Sequence, residues 1–118
     1  MGRLVAILAL AAAAAAAGSG CKRSEAATLQ SRELFTNTCA RCHGADGTGG
    51  PPISEAGPAP RNFHDHAFHN QRTDDQLKQT IKNGEGTGMP AFAALLTDEQ
   101  IDQLVLQVRS FDEEKKAR

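Results

Sequence analysis

Tryptophan and tyrosine are absent, and the aromatic residues amount to five phenylalanines. Aromatic side chains supply much of the buried area of an ordinary core, so this chain has little of its own to pack. A length of 118 residues sets an expectation of one small domain, and small domains bury a modest core in any case. No stretch alternates apolar with polar residues, which excludes a half-buried sheet, and no internal repeat is visible. Charge of one sign is also missing. Thirteen Lys and Arg stand against 14 Asp and Glu, with no basic stripe, and this excludes nucleic acid as a partner. No set of side chains reads as an acid, base and nucleophile working together. Methionine is scarce: Met1 and Met89 are the two. Cysteine occurs three times, an odd number.

One long apolar run is present, and it lies at the start. Leu4 to Ala17 is uninterrupted, preceded by Arg3 and followed by Gly18-Ser19-Gly20. A charged n-region, an apolar h-region and small residues at the end form the layout of a secretory signal peptide. The run is too short to span a bilayer comfortably. Residues 1–20 are therefore read as a leader. Cys21 follows it directly, and Gly18-Ser19-Gly20-Cys21 resembles the cleavage motif of bacterial lipoproteins, with Gly18 where an aliphatic residue is usual. That resemblance implies lipid attachment at Cys21, an exported chain and a membrane anchor; several acyl chains hold a protein stably where one does not. Ordinary cleavage near Ala15-Ala16-Ala17, leaving a free thiol, is the competing reading. Without the leader, 12 basic residues remain against 14 acidic ones, since only Arg3 is lost.

The other two cysteines carry the most information. Cys39-Ala40-Arg41-Cys42-His43 has the C-x-x-C-H form of a covalent haem attachment site. Two thiols at this spacing form thioethers to the vinyl groups of adjacent pyrroles, and the next residue then presents an imidazole to the iron. Two other chemistries use C-x-x-C. A dithiol redox pair follows a strand and opens a helix, and no strand pattern precedes Cys39. A structural zinc site wants four ligands, and there is no second C-x-x-C. A buried haem also supplies the apolar surface that the composition lacks.

Along the chain, residues 21–28 read as the lipidated cysteine and a polar tether, and residues 29–118 as the domain. Ser31 to Ala40 has helical character. Gly44 to Pro60 is rich in Gly and Pro and reads as an irregular loop around one haem edge. Thr73-Asp74-Asp75-Gln76 fits a capping box, with Leu77 and Ile81 on one face and Asn83-Gly84 as the stop. Thr97-Asp98-Glu99-Gln100 opens another helix, whose stripe of Ile101, Leu104, Val105, Val108 and Phe111 is core.

A haem held by His43 has a second face. Met89 is the one methionine after the leader, within Gly88-Met89-Pro90-Ala91-Phe92, on a loop between two expected helices. A loop of this kind can present a thioether across a planar cofactor, and Pro90 stiffens it. His64, His66 and His69 compete for the position. We read them as lying on a solvated loop, where they make the potential sensitive to pH.

Cys39-x-x-Cys42-His43-Gly44, Gly50-Pro51-Pro52-Ile53, Asn83-Gly84, Gly88-Met89-Pro90-Ala91-Phe92 and a terminal helix from Leu96, in that order, resemble the class I, monohaem c-type cytochromes. The resemblance spans about Gln30 to Phe111. It implies an all-α cytochrome c fold of three to four helices, the N- and C-terminal ones crossed, around one haem c. Phe35 and Leu104 look like the pair at that crossing. The resemblance implies that the Pro51 carbonyl accepts a hydrogen bond from the second ring nitrogen of His43, and that Arg61 partners a haem propionate. Two positions depart from the pattern: Ser31 stands where the family has Gly, and Gln107 where it often has an aromatic residue.

The function expected is electron transfer rather than catalysis, by a monomer with transient redox partners in the periplasmic space. The iron is held by His43 and Met89, the haem by Cys39 and Cys42. The alternatives are a haem sensor or small haem enzyme with an open or displaceable sixth position, and a cytochrome subunit of a larger oxidase or reductase.

Overall fold

A computed structural model describes the backbone of residues 20–118 and the side chains of 29–114, 117 and 118. The leader through Ser19 and the side chain of Cys21 lie outside the described residues. Helix α1 runs Gly20–Thr38 and α2 Ala40–His43; α3 is His66–Gln71, α4 Asp74–Asn83, α5 Asp98–Arg109 and α6 Glu113–Lys116. Among the described residues there is no strand beyond one isolated bridge, between Glu85 and Met89. Helix α1 starts earlier than Ser31, so the backbone of 22–28, read as a tether, is helical.

The two capping boxes form as the sequence suggests. Thr73 Oγ1 accepts from the Gln76 amide at 3.2 Å while Gln76 Oε1 accepts from the Thr73 amide at 2.9 Å. Thr97 and Gln100 repeat this at the same distances. A cap of this type stabilises a helix by about 1 kcal/mol. Helix α5 ends at Arg109, before Phe111, the last residue of its expected stripe, and α4 stops at Gly84, whose φ is +76°.

The core sits where α1 packs on α5, with Phe35, Ile101 and Leu104 fully buried. Phe35 and Leu104 were expected at this meeting. Leu77 and Ile81 of α4, Val105 and Val108 of α5, and Phe63 complete the core. Lys78 reaches Asp102 at 2.8 Å and Lys82 reaches Asp98 at 2.7 Å, tying α4 to α5. Exposed pairs of this kind contribute little; apolar burial between the helices holds them together.

The histidine cluster differs from the expected solvated loop. Asp65 caps α3 by accepting from the Ala67 amide at 3.0 Å, so His66 and His69 lie on a short helix. His69 is buried, its Nε2 2.7 Å from the Phe63 carbonyl and its Nδ1 3.2 Å from Arg109 Nη1. One acceptor and one donor at the two nitrogens suit a neutral imidazole protonated at Nε2. The cause is α5: Arg109 also donates to the His69 and Arg72 carbonyls and pairs with Asp74, so the end of α5 orders α3 and the start of α4 together.

Candidate haem site

The short helix α2 turns the C-x-x-C-H segment inward directly after α1. The Cys42 and His43 amides both donate to the Cys39 carbonyl, at 3.1 and 3.0 Å, which winds the pentapeptide into one turn. That turn places Cys39, Cys42 and His43 along the wall of a cavity of about 890 Å³. Met89 lines the same cavity from its own loop, together with Arg41, Arg61 and Arg72 and an apolar wall that includes Phe63, Phe68, Leu77, Ile81, Phe92 and Val108. The volume is at the upper end of small-molecule sites.

The loop carrying Met89 is a closed unit. Glu85 and Met89 exchange backbone hydrogen bonds, at 3.0 and 3.2 Å. Gly84 makes this possible: its φ is +76°, and a Cβ there would stand 2.5 Å from the Met89 carbonyl oxygen. The far side is fixed by the Phe92 amide donating to Ile81 O at 3.0 Å. Helix α4 thus ends in a tight loop that sets Met89 against the cavity.

His43 is oriented from two directions. Its ring stacks on Phe63, centroids 4.6 Å apart at 22°. Its Nδ1 lies 3.1 Å from the Arg61 carbonyl. Donation from Nδ1 leaves Nε2 with a lone pair, the form that binds a metal. Burial lowers the His43 pKa below the ordinary imidazole value, with the Arg61 bond opposing, so the neutral, ligating form is favoured.

Pro51, to which the resemblance gave this acceptor role, is exposed and lies outside the cavity wall. The chain beyond it runs out through an exposed stretch and returns at Pro60-Arg61-Asn62-Phe63, and it is this returning backbone that meets the ring. Arg61 lines the cavity, but its guanidinium lies 3.8 Å from Asp65 and 5.2 Å above the Phe68 ring. None of His64, His66 and His69 reaches the cavity. The sequence points to Arg61 but not to Phe63, the aromatic residue two places on that stacks on the ligand ring.

Cys39 and Cys42 form no disulfide. Burial, and then the neighbouring Cys42, push the Cys39 thiol up to about 11. Redox-active dithiols have the opposite character, a depressed thiol in an electropositive setting. Two thiols on one turn, a neutral imidazole beside them, and a thioether and arginines in the wall of the same cavity fit a haem. Among the described residues, no group of three or more His, Cys, Asp or Glu side chains is placed to hold a metal ion.

Residues 26–106 match the family described as cytochrome c oxidase, cbb3-type, subunit III. The chain belongs to that family. A relative from Rubrivivax gelatinosus, the cbb3-type cytochrome c oxidase subunit CcoP, is 37% identical over 78 residues, which is 65% of this chain and 23% of that subunit. The chain therefore spans under a quarter of the length of this relative. Among solved structures, the KustC0563 c-type cytochrome superposes with a TM-score of 0.61 at 30% identity, covering 69% of this chain and 95% of that one. The fold is the all-α cytochrome c fold, and the family implies haem c. No helix among the described residues is long and apolar enough to cross a membrane.

Proposed function

We propose that the chain is an electron-transfer cytochrome carrying one covalent haem c on Cys39 and Cys42, with His43 and Met89 as axial ligands. The observation that carries this reading is the shared cavity. A short helix and a loop far apart in sequence bring a thiol pair with its histidine and the one methionine after the leader to a single cavity. When bound, haem c supplies an iron that accepts and returns one electron, and a Met/His pair raises its potential. The chain's part is to hold that iron still. Phe63 and the Arg61 carbonyl fix the His43 ring, the Glu85–Met89 loop fixes the thioether, and the apolar wall excludes water. Arg61 stands where its charge can meet a propionate once it parts from Asp65, a pair held at 3.8 Å.

The leader and Cys21 extend the reading to an exported protein, lipid-anchored in the periplasmic space, acting as a monomer with transient redox partners. The test is a reduced-minus-oxidised spectrum of the purified protein. A far-red band of thioether-to-ferric-iron ligation, and no ready carbon monoxide binding when reduced, are expected. Absence of the band together with rapid carbon monoxide binding would give the sixth position to a displaceable ligand.

The family match favours a second reading, in which this cytochrome serves as a unit of a cbb3-type oxidase. Gentle detergent extraction distinguishes them: stoichiometric oxidase subunits co-purify in the second case and not in the first.

A further inference from the structure

The segment after α5 turns back over the loop that follows the haem motif. Phe111 lies against the backbone of Gly47, where a Cβ would stand 2.8 Å from the ring. Phe111 also meets Phe35 at 5.1 Å and Phe63 at 6.3 Å, the latter at 15°. Phe63 in turn stacks on His43. A line of rings therefore runs from this segment to the haem ligand. Residues 112–114, Asp-Glu-Glu, follow directly.

His64 and His66 hold those three carboxylates, and the pattern of partners is informative. His66 Nδ1 is 2.8 Å from buried Asp112 Oδ1, and its Nε2 is 3.5 Å from Glu114 Oε2. His64 Nε2 is 2.7 Å from the Asp46 carbonyl, and its Nδ1 is 3.4 Å from Glu113 Oε1. Each ring thus faces an acceptor at both nitrogens. A neutral imidazole has one N–H, and only the imidazolium has two. His69 is the contrast on the same helix, with one acceptor and one donor. Among the described side chains, the charged groups facing the two rings from the neighbouring elements are Asp46, Asp112, Glu113 and Glu114, all acidic. Asp65, between the rings in sequence, is turned to Arg61. Thr48 hydrogen bonds hold the Asp46 carboxyl below the usual carboxylate range, so it too is an anion at neutral pH.

We infer that residues 111–114 form a proton-dependent clasp, latched by charged His64 and His66 and seating Phe111 against the ring stack behind His43. Imidazole is the side chain suited to changing charge between pH 5 and 8. Loss of the second N–H on each ring removes the contacts to Glu113 and Glu114, while His66 keeps Asp112 and His64 keeps the Asp46 carbonyl. The clasp is therefore tight at mildly acidic pH and loosens as pH rises. The clasp itself stands on its own contacts; its coupling to the iron rests on the electron-transfer reading.

The experiment is amide hydrogen exchange of residues 111–114 in the full protein at pH 5.5 and pH 8, corrected for intrinsic exchange, in the unaltered chain and in the His64→Gln, His66→Gln double variant. Protection is expected to fall roughly three- to tenfold at the higher pH in the unaltered chain, the range set by two or three partly exposed ion pairs. It should lose this pH dependence in the double variant, and each single variant should lose part of it. The reduction potential should fall over the same range in the unaltered chain and stay level in the double variant. Equal protection at both pH values in the unaltered chain overturns the clasp, as does the same pH response in the double variant. A mass without covalent haem would instead sink the electron-transfer reading, and the exchange comparison would still decide the clasp.

Discussion

Ser31 Oγ donates to Gln107 Oε1 across 3.4 Å, joining α1 to α5 where both side chains are buried. These are the two positions where the sequence departs from the resemblance, Ser31 standing for Gly and Gln107 for an aromatic residue. Here a hydroxyl and an amide meet instead. A buried polar atom costs free energy unless it is paired, so each departure makes the other tolerable. Replacing Ser31 by Ala is expected to destabilise the fold by about 1 kcal/mol, the low end because the bond is long. The double change Ser31→Gly, Gln107→Phe should cost less than the sum of its singles, with a coupling of about 0.5–1 kcal/mol. Urea unfolding of the four proteins measures it. Strict additivity would show that the two positions do not act as a pair.

Arg109 is the other long-range polar tie, and its geometry predicts that lysine will not replace it. Its guanidinium meets Asp74, the His69 carbonyl and ring, and the Arg72 carbonyl from one end of α5. A planar fork with five donors spans these acceptors; an ammonium on a flexible stem cannot hold all of them at once. Arg109→Lys should therefore lose about 1–3 kcal/mol, approaching Arg109→Ala, because carbonyls are left unpaired in either case. The check is the unfolding midpoint of both variants. A lysine variant as stable as the parent would reduce Arg109 to a point charge.

What was legible in the sequence was local or spacing-dependent. The boxes at Thr73 and Thr97 involve residues three apart, and both form as read. The haem pentapeptide and the isolated Met89 were found by residue type, and the structure sets them around one cavity. What was missed depends on distant partners or on backbone. Helix α3 is ordered by Arg109, 40 residues beyond His69, so a polar His-rich stretch looked like a solvated loop. The acceptor for His43 is a main-chain carbonyl, and a carbonyl has no residue type to recognise. The resemblance implied Pro51; the path of the loop brings the Arg61 carbonyl to the ring instead.

The raised Cys39 thiol gives a prediction for the haem-free chain. Its displacement to about 11 has burial as its main cause and the Cys42 charge as the second. The reacting species in alkylation is the thiolate, which at Cys39 becomes abundant only as pH approaches 11. Labelling of Cys39 by iodoacetamide, followed by peptide mass spectrometry, should be slow at pH 7–8 and keep rising up to about pH 11. A rate that levels off near pH 8.5, the ordinary range for a free thiol, would show that the pentapeptide is open to water before haem attachment.

The Met89 loop makes the sharpest test of the iron's sixth position, because it can be disturbed without touching the thioether. Met89→Ala removes the proposed ligand, and the reduction potential should fall while carbon monoxide binding to the reduced protein appears. Gly84→Ala keeps Met89 and alters its support. The added Cβ would stand 2.5 Å from the Met89 carbonyl, at a φ of +76° that side chains rarely adopt. The loop must shift to make room, and the thioether it carries must shift with it. Gly84→Ala should therefore weaken the far-red ligation band while the helical content, which resides in α1, α4 and α5, is unchanged. Gly86 is the control: its φ is +58°, yet a Cβ there meets nothing within 4 Å. Gly86→Ala should cost about 1 kcal/mol of backbone strain and leave the band in place. A band insensitive to both Met89→Ala and Gly84→Ala would remove Met89 from the iron and return the sixth position to another ligand.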